Sequence, residues 1–201
     1  MVSEPEQAQS DATKLLELFS ILNIRGLMPR TRPSKVLFMR DILNDTPHIF
    51  YGLTETWLLD QNEAETKVEG YQLLRSDRKA HRRKGVRDGG GAAIYVNDND
   101  MIDHKILMQY SCGGIEAVGV HLKSRNLVVI IVYRQPDNPN QNNRSGSTQL
   151  KKFLKELNAV LKKLADPSPD ILICGDFNLP HANWSTGRHV ETVSKEGQKK
   201  I

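Results

Sequence analysis

Short apolar runs separated by polar turns recur along the chain, and they predict a protein built largely from strands. The most apolar run, Asn126–Tyr133, has the character of a central strand that is buried on both faces. The run Ile171–Cys174 is of the same kind and stops at Gly175. In chain order the predicted strands are Leu15–Leu22, Ile49–Leu53, Tyr71–Leu74, Gly91–Val96, Lys105–Gln109, Ile115–Leu122, Asn126–Tyr133 and Ile171–Cys174.

Two other stretches repeat apolar residues every three or four positions, which predicts amphipathic helices over Ser34–Leu43 and Thr148–Ala165. Asp137–Ser147 is rich in Asn, Pro, Gly and Ser and predicts an exposed loop. Residues 1–14 are polar and acidic without an apolar period, so we expect a disordered tail there and one domain over 15–201. From this combination of strands and helices we expect the α/β class.

Polar side chains stand where several predicted strands end. Asn23, Glu55 and Tyr133 each close or follow an apolar run, and Asp176 and Asn178 follow the last one. Residues two apart on an extended chain point to the same side, so Asp176 and Asn178 are expected to project together. Taken singly, each has a plain structural interpretation as a turn, surface or core residue. Strand ends are also where α/β folds place ligand sites.

Charge is concentrated in one segment. Arg75–Asp88 contains seven Lys or Arg residues and two acidic ones, an excess larger than the net charge of +4 carried by the whole chain. Such a segment can attract a polyanion, above all a phosphate backbone, although a solvated loop is the alternative. No apolar run reaches the length of a membrane span. The two cysteines are too few for a disulfide framework or a four-cysteine zinc site.

The strand-end residues, in this order, resemble the endonuclease/exonuclease/phosphatase superfamily, the Mg²⁺-dependent phosphodiesterases that include AP endonucleases and deoxyribonuclease I. The sequence around these residues is similar to that of the endonuclease domains of non-LTR (LINE-type) retrotransposons, and the resemblance covers about residues 15 to 185. The stretches that carry it are Asn23-Ile24-Arg25-Gly26-Leu27, Thr54-Glu55-Thr56-Trp57-Leu58, Gly89-Gly90-Gly91-Ala92-Ala93-Ile94-Tyr95, Val132-Tyr133-Arg134-Gln135-Pro136 and Gly175-Asp176-Phe177-Asn178-Leu179-Pro180.

The resemblance implies a DNase I-like fold, a four-layer α/β sandwich of two mixed β-sheets flanked by helices. The superfamily's final Ser-Asp-His motif, which supplies a catalytic His, has no counterpart here, so the domain is expected to be incomplete at its C-terminus. Arg25 stands where AP endonucleases carry a metal-binding Asp, which argues against abasic-site repair.

The resemblance also implies residue roles. Glu55 and Asp176 would hold Mg²⁺, with Mn²⁺ as the alternative ion, and Asp176 would also orient or deprotonate the attacking water. Asn23 and Asn178 would position that aspartate and the phosphate, and Tyr133 would hydrogen-bond a phosphate oxygen. The DNA backbone would be contacted by the basic residues Arg78, Lys79, Arg82, Arg83, Lys84 and Arg87.

The implied function is an endonuclease that nicks chromosomal DNA so that the exposed 3′ hydroxyl primes reverse transcription. Its implied partners are target DNA and a reverse transcriptase normally fused downstream, in the nucleus or cytoplasm and without a membrane. Two alternatives stay open at this point: a phosphatase of the same superfamily acting on phosphoinositides or sphingomyelin, and a catalytically dead DNA-binding remnant.

Overall fold

A computed structural model describes residues 19–28, 34–46, 48–58, 64–78, 89–136, 144–164, 169–179, 182–183 and 188–189. Most elements are strands, as the apolar pattern predicts, and six of them follow one another between the two α-helices. The strands are β1 (Phe19–Asn23), β2 (Phe50–Thr54), β3 (Tyr71–Ser76), β4 (Ala92–Asn97), β5 (His104–Cys112), β6 (Ile115–Leu122), β7 (Leu127–Arg134), β8 (Asp170–Asp176), β9 (Ala182–Asn183) and β10 (Arg188–His189), and the helices are α1 (Val36–Asp45) and α2 (Arg144–Leu161).

The main strands form two mixed four-stranded sheets. The first has the order β1-β2-β4-β3 and the second the order β5-β6-β7-β8, while β9 and β10 form a short separate pair. In each sheet one pair is parallel, β1 with β2 and β7 with β8, and the other neighbours are antiparallel. Both parallel pairs therefore bring two strand ends to the same edge of their sheet.

The two sheets pack face to face, and a helix covers the outer face of each. Along β7 alternate residues serve different layers: Ile131 packs into the apolar layer between the sheets, and Ile130 packs under Phe153 of α2. Met39 of α1 packs on the outer face of the first sheet. The order helix, sheet, sheet, helix confirms the predicted four-layer α/β sandwich.

Gly52 lets the sheets approach closely at the middle of β2. A Cβ atom on Gly52 would lie 2.6 Å from Cδ1 of Ile131, which projects from the second sheet. A side chain at position 52 would therefore require the Ile131 side chain or the two sheets to shift.

The largest difference from the prediction concerns α2. It begins at Arg144, four residues before the predicted start, and ends at Leu161. The first turn of a helix has unpaired N–H groups in any case, so the Ser and Gly residues that predicted a loop are tolerated there. At the other end Lys163 and Leu164 form tighter three-residue turns instead of continuing the helix.

The strand predictions agree with the structure to within a few residues, and β6 occupies the predicted range. Residues 15–18 of the first predicted strand and the predicted tail lie outside the described residues. Neither helix in the described part of the chain is long and apolar enough to cross a membrane.

Candidate active site

The register of the parallel strands lines up the polar strand-end residues. Asn23 is opposite Thr54, directly before Glu55, in the first sheet, and Tyr133 is opposite Asp176 in the second. The predicted site residues thus lie at the carboxyl ends of parallel strands in both sheets, where backbone pairing no longer occupies the chain.

The side-chain amide of Asn23 joins the strand ends of the two sheets. Nδ2 of Asn23 donates a hydrogen bond of 3.0 Å to Oε1 of Glu55 and another of 2.9 Å to Oδ2 of Asp176. The Oδ1 atom of the same amide accepts a hydrogen bond of 3.3 Å from the backbone N–H of Arg25. An amide suits this position because its NH₂ group offers two donors to two carboxylates without adding charge. Asn23 therefore fixes the spacing of the two acids across the sheet interface.

Left-handed backbone is concentrated around this bridge. Four of the five non-glycine residues with left-handed backbone in the described part of the chain lie here, with φ values between 45° and 55°, a conformation that costs roughly 1–2 kcal/mol per residue and that often marks functional positions. They are Arg25, Glu55, Trp57 and Asn178.

Backbone hydrogen bonds hold the segment around Glu55 in this conformation. The Glu55 carbonyl accepts a bond of 2.7 Å from the N–H of Gly26, and the N–H of Trp57 donates one of 3.0 Å to the carbonyl of Gly90. The direction of the Glu55 carboxylate is thus set by two neighbouring segments, and the strain of the backbone is compensated by these contacts.

The turn after β8 fixes Asp176 in a similar way. Gly175 has φ 140°, and a Cβ atom there would overlap the carbonyl oxygen of Val132 in the paired strand. Beyond it, Oδ1 of Asp176 accepts a hydrogen bond of 3.2 Å from the backbone N–H of Asn178, a local turn typical of Asp. Both carboxylate oxygens of Asp176 are therefore held, one by Asn178 and one by Asn23.

Tyr133 is a buried member of the same site. It is only 5% exposed, and burial is the main cause that raises its pKa to about 12. The carboxylates of Glu55, Glu116 and Asp176 raise the pKa further, while Arg78 opposes them. The Tyr133 hydroxyl therefore stays protonated at neutral pH and can act as a hydrogen-bond donor next to the two acids.

Sequence reasoning missed a buried ion pair beside Tyr133. Glu116, in β6 opposite Tyr133, is 1% exposed and accepts hydrogen bonds of 2.9 and 3.0 Å from Nε and Nη2 of Arg78. The pKa of Arg78, which burial alone would lower, is raised by Glu116 and Tyr133. The available signal was a lone carboxylate in the otherwise apolar strand Ile115–Leu122.

The structure brings Asn23, Glu55, Asp176, Asn178 and Tyr133 to one end of the sandwich, and their roles stay predictions. The predicted DNA contacts are divided. Arg78 directs its guanidinium to Glu116, and the other five lie outside the described residues: Lys79, Arg82, Arg83, Lys84 and Arg87.

The donor set fits a hard divalent cation. Glu55 and Asp176 are brought together on one amide, and Mg²⁺ is commonly bound by one or two carboxylates, with waters and phosphate oxygens completing its shell. Within the described residues no cluster of three or more His, Cys, Asp or Glu occurs.

Residues 127–199 match the sequence family described as "Endonuclease-reverse transcriptase". The matched range contains β7, α2 and β8, and so Tyr133, Asp176 and Asn178, while Asn23 and Glu55 precede it. No curated protein sequence matches the chain.

Solved structures show the same fold at low sequence identity. The chain is similar to AP endonuclease LMAP from Leishmania major (TM-score 0.52, 16% identity, 81% of this chain and 55% of that one). It is also similar to an AP endonuclease from Archaeoglobus fulgidus (TM-score 0.51, 16% identity, 81% and 57%) and to humanized D. rerio TDP2 (TM-score 0.51, 15% identity, 85% and 66%). The fold is thus a DNase I-like α/β sandwich, and the chain spans between 55% and 66% of the length of these structures.

Proposed function

We propose that this chain is a nuclease module, a Mg²⁺-dependent phosphodiesterase that nicks DNA. One observation carries the proposal: the Asn23 amide holds Glu55 and Asp176 together at the strand ends of two different sheets. Two carboxylates fixed side by side repel each other, and this arrangement is favourable when a divalent cation joins them.

Glu55 and Asp176 are the residues that would hold Mg²⁺. A bound Mg²⁺ would polarise the scissile phosphate and stabilise the leaving 3′ oxygen. Asp176, oriented through both of its oxygens, would accept a proton from the attacking water. Asn178 would contribute by fixing the turn that aims this carboxylate.

Tyr133 would act as a neutral donor to the phosphate. Since its pKa is about 12, the hydroxyl keeps its proton throughout the physiological range. A buried donor placed where negative charge develops stabilises the transition state more than the ground state.

DNA is the proposed substrate, and its sequence-independent backbone is the proposed contact. The basic segment Arg75–Asp88 supports a polyanionic partner, because cationic side chains release counterions from phosphates on binding. The match to a family described as endonuclease-reverse transcriptase supports a setting in which the nick supplies the 3′ hydroxyl for a reverse transcriptase joined to the same protein.

Mg²⁺-dependent conversion of supercoiled plasmid to the nicked form tests the proposal. Glu55→Gln and Asp176→Asn are expected to abolish nicking, since each removes a charge from the metal site and leaves the shape of the side chain. Glu69→Gln and Asp170→Asn are the matched controls, because Glu69 is exposed and Asp170 lies at the opposite end of β8 from Asp176.

Each alternative predicts a different outcome. Hydrolysis of a soluble inositol phosphate with no nicking would replace the nuclease by a phosphatase. DNA binding at low salt without turnover on either substrate would show a binding remnant.

A further inference from the structure

The charged pair beneath Tyr133 is not used by the proposed mechanism. We infer that Arg78 and Glu116 form a positioning pair, which fixes the Tyr133 ring for phosphate binding and makes Arg78 an internal residue instead of a DNA contact. The inference rests on the proposed function for its kinetic consequence, and its geometric part stands by itself.

Three observations place the Arg78–Glu116 pair next to the Tyr133 ring. Glu116 is the cross-strand partner of Tyr133, so its side chain and the ring leave neighbouring strands at the same level. Its two oxygens bind Nε and Nη2 of Arg78 in a two-point geometry that fixes the plane of the guanidinium. The guanidinium carbon Cζ lies 5.7 Å from the centre of the Tyr133 ring, within the range of a cation–π interaction.

The glycine segment before β4 is shaped around the same pair. A Cβ atom on Gly90 would overlap the guanidinium of Arg78, and the N–H of Gly91 donates a hydrogen bond of 3.2 Å to Oε2 of Glu116. The carbonyl of Gly90 in turn accepts the N–H of Trp57, two residues after Glu55. Arg78 is thereby connected to both halves of the candidate site, to Tyr133 directly and to the Glu55 segment through Gly90.

Stability alone does not explain these charges. A buried ion pair costs about as much in lost hydration as it recovers, and well-packed apolar residues commonly serve as well or better. At 1% exposure for Glu116 and 19% for the Arg78 side chain, this pair lies largely away from water. The two hydrogen bonds fix the direction of the guanidinium, which an apolar contact would not do, and the guanidinium in turn can hold the Tyr133 ring in one orientation.

The first test is the environment of the Tyr133 ring in solution, which needs no activity. In protein with isotope-labelled tyrosine rings, the Tyr133 resonance is assigned by its loss in Tyr133→Phe. Arg78→Lys keeps the positive charge but cannot make the two-point contact with Glu116. It is expected to shift or broaden this resonance and to leave that of Tyr71 unchanged. The double variant Arg78→Met/Glu116→Leu should do the same without leaving a buried charge unpaired, so it covers the case in which the single variant does not fold. A folded variant with an unmoved Tyr133 resonance would overturn the inference.

The second test is a double-mutant cycle on nicking. Because misplacement of a reacting group by about 1 Å can cost about 100-fold in rate, we expect Arg78→Lys to lower kcat by at least about tenfold with little change in KM. In a Tyr133→Phe background the same substitution should have almost no further effect, since Arg78 acts through Tyr133. Fully multiplicative losses, or a loss confined to KM with a weaker salt dependence of DNA binding, would make Arg78 a DNA contact and refute the inference.

Arg125 provides a matched control. Its Nε binds Oδ1 of Asp100 at 2.7 Å, an arginine–carboxylate pair at the other end of β7 from Tyr133. Arg125→Lys should leave both the Tyr133 resonance and kcat unchanged. If the wild-type chain does not nick DNA, the proposed function fails while the ring measurement still decides the positioning role.

Discussion

Arg134 and Asn178 bind each other through two reciprocal hydrogen bonds. Nη1 of Arg134 donates to the backbone carbonyl of Asn178 at 2.8 Å, and Nδ2 of Asn178 donates to the backbone carbonyl of Arg134 at 2.6 Å. The ends of β7 and β8 are thereby joined beyond their last ladder pair, Tyr133 with Asp176. Asn178 thus clamps the turn that carries the neighbouring Asp176.

Two substitutions of Asn178 distinguish the effect of its side-chain hydrogen bond from the cost of its left-handed backbone. Asn178→Gly removes the bond from Nδ2 to the Arg134 carbonyl but adopts φ 45° freely, whereas Asn178→Ala removes the same bond and also has to adopt a left-handed conformation. We expect both variants to lose nicking activity and Asn178→Ala to be less stable than Asn178→Gly by about 1 kcal/mol in urea unfolding. Equal stability of the two variants would show that the strain is relieved by movement of the turn.

Gly175→Ala is expected to be the most damaging small substitution at the site. The added methyl group would overlap the carbonyl of Val132, so β8 has to move away from β7 and take Asp176 with it. We expect a loss of about 3 kcal/mol or more in the free energy of unfolding. The control is Gly70→Ala, which has φ 76° but open space around the added atom, and should cost only about 1 kcal/mol.

The raised pKa of Tyr133 predicts a dependence of stability on alkaline pH. The folded state keeps this proton up to a pKa of about 12, whereas the unfolded chain releases it near 10. The contribution is therefore complete below about pH 10 and is lost as the pH rises towards 12.

Urea unfolding across this pH range measures it. In Tyr133→Phe the free energy of unfolding should decline less steeply with pH than in wild type, by up to about 1.4 kcal/mol per pH unit. Tyr95, whose pKa burial also raises to about 12, lies on the α1 side of the first sheet. Tyr95→Phe should flatten the decline similarly but leave nicking unchanged, and an unaltered slope in both variants would contradict the prediction.

Removal of the metal is expected to lower stability without unfolding the chain. A ligand that binds only the folded state adds about 2.7 kcal/mol at a concentration 100 times its Kd, so Mg²⁺ should raise the melting temperature and EDTA should reverse the rise. Asp176→Asn should abolish this increment, and Asp170→Asn should retain it. An increment that survives Asp176→Asn would place the ion elsewhere.

The basic segment should determine how DNA affinity responds to salt. Each phosphate contact contributes roughly one unit to the slope of log affinity against log salt concentration, so Arg82→Ala/Arg83→Ala should reduce that slope by about two. Lys151→Ala/Lys155→Ala, a pair of exposed lysines on α2, is the matched control and should leave the slope unchanged. Equal slopes in the two double variants would exclude a specific role for the segment.

The sequence predicts the scaffold of the site better than its internal contacts. Apolar runs locate β7 and β8, and the structure adds their parallel pairing, which puts Tyr133 opposite Asp176. The Arg78–Glu116 pair was missed because it joins residues 38 positions apart, and nothing in the local pattern around either residue specifies the other. Arg78 lies in a basic segment whose pattern predicts exposed charge, and that pattern does not indicate the hydrogen bonds that its guanidinium donates to buried Glu116.

The same limit applies to α2. Its apolar spacing predicted the helix but not its start at Arg144, because Ser and Gly favour loops in isolation and are also acceptable in a first helical turn. Likewise, the clamp between Arg134 and Asn178 depends on backbone carbonyls, whose positions the residue types do not reveal.

The close packing at Gly52 connects the apolar layer between the sheets with the candidate site. The Asn23–Asp176 hydrogen bond joins the two sheets, and Ile131 of the second sheet packs close to the bare backbone of Gly52 in the first. A methyl group added at Gly52 is expected to push the sheets apart and to lengthen the Asn23–Asp176 hydrogen bond without substituting any polar residue. If the proposed nuclease function holds, turnover should depend on the thickness of the hydrophobic interior, so that a loosened or thickened core loses rate well before it loses its fold.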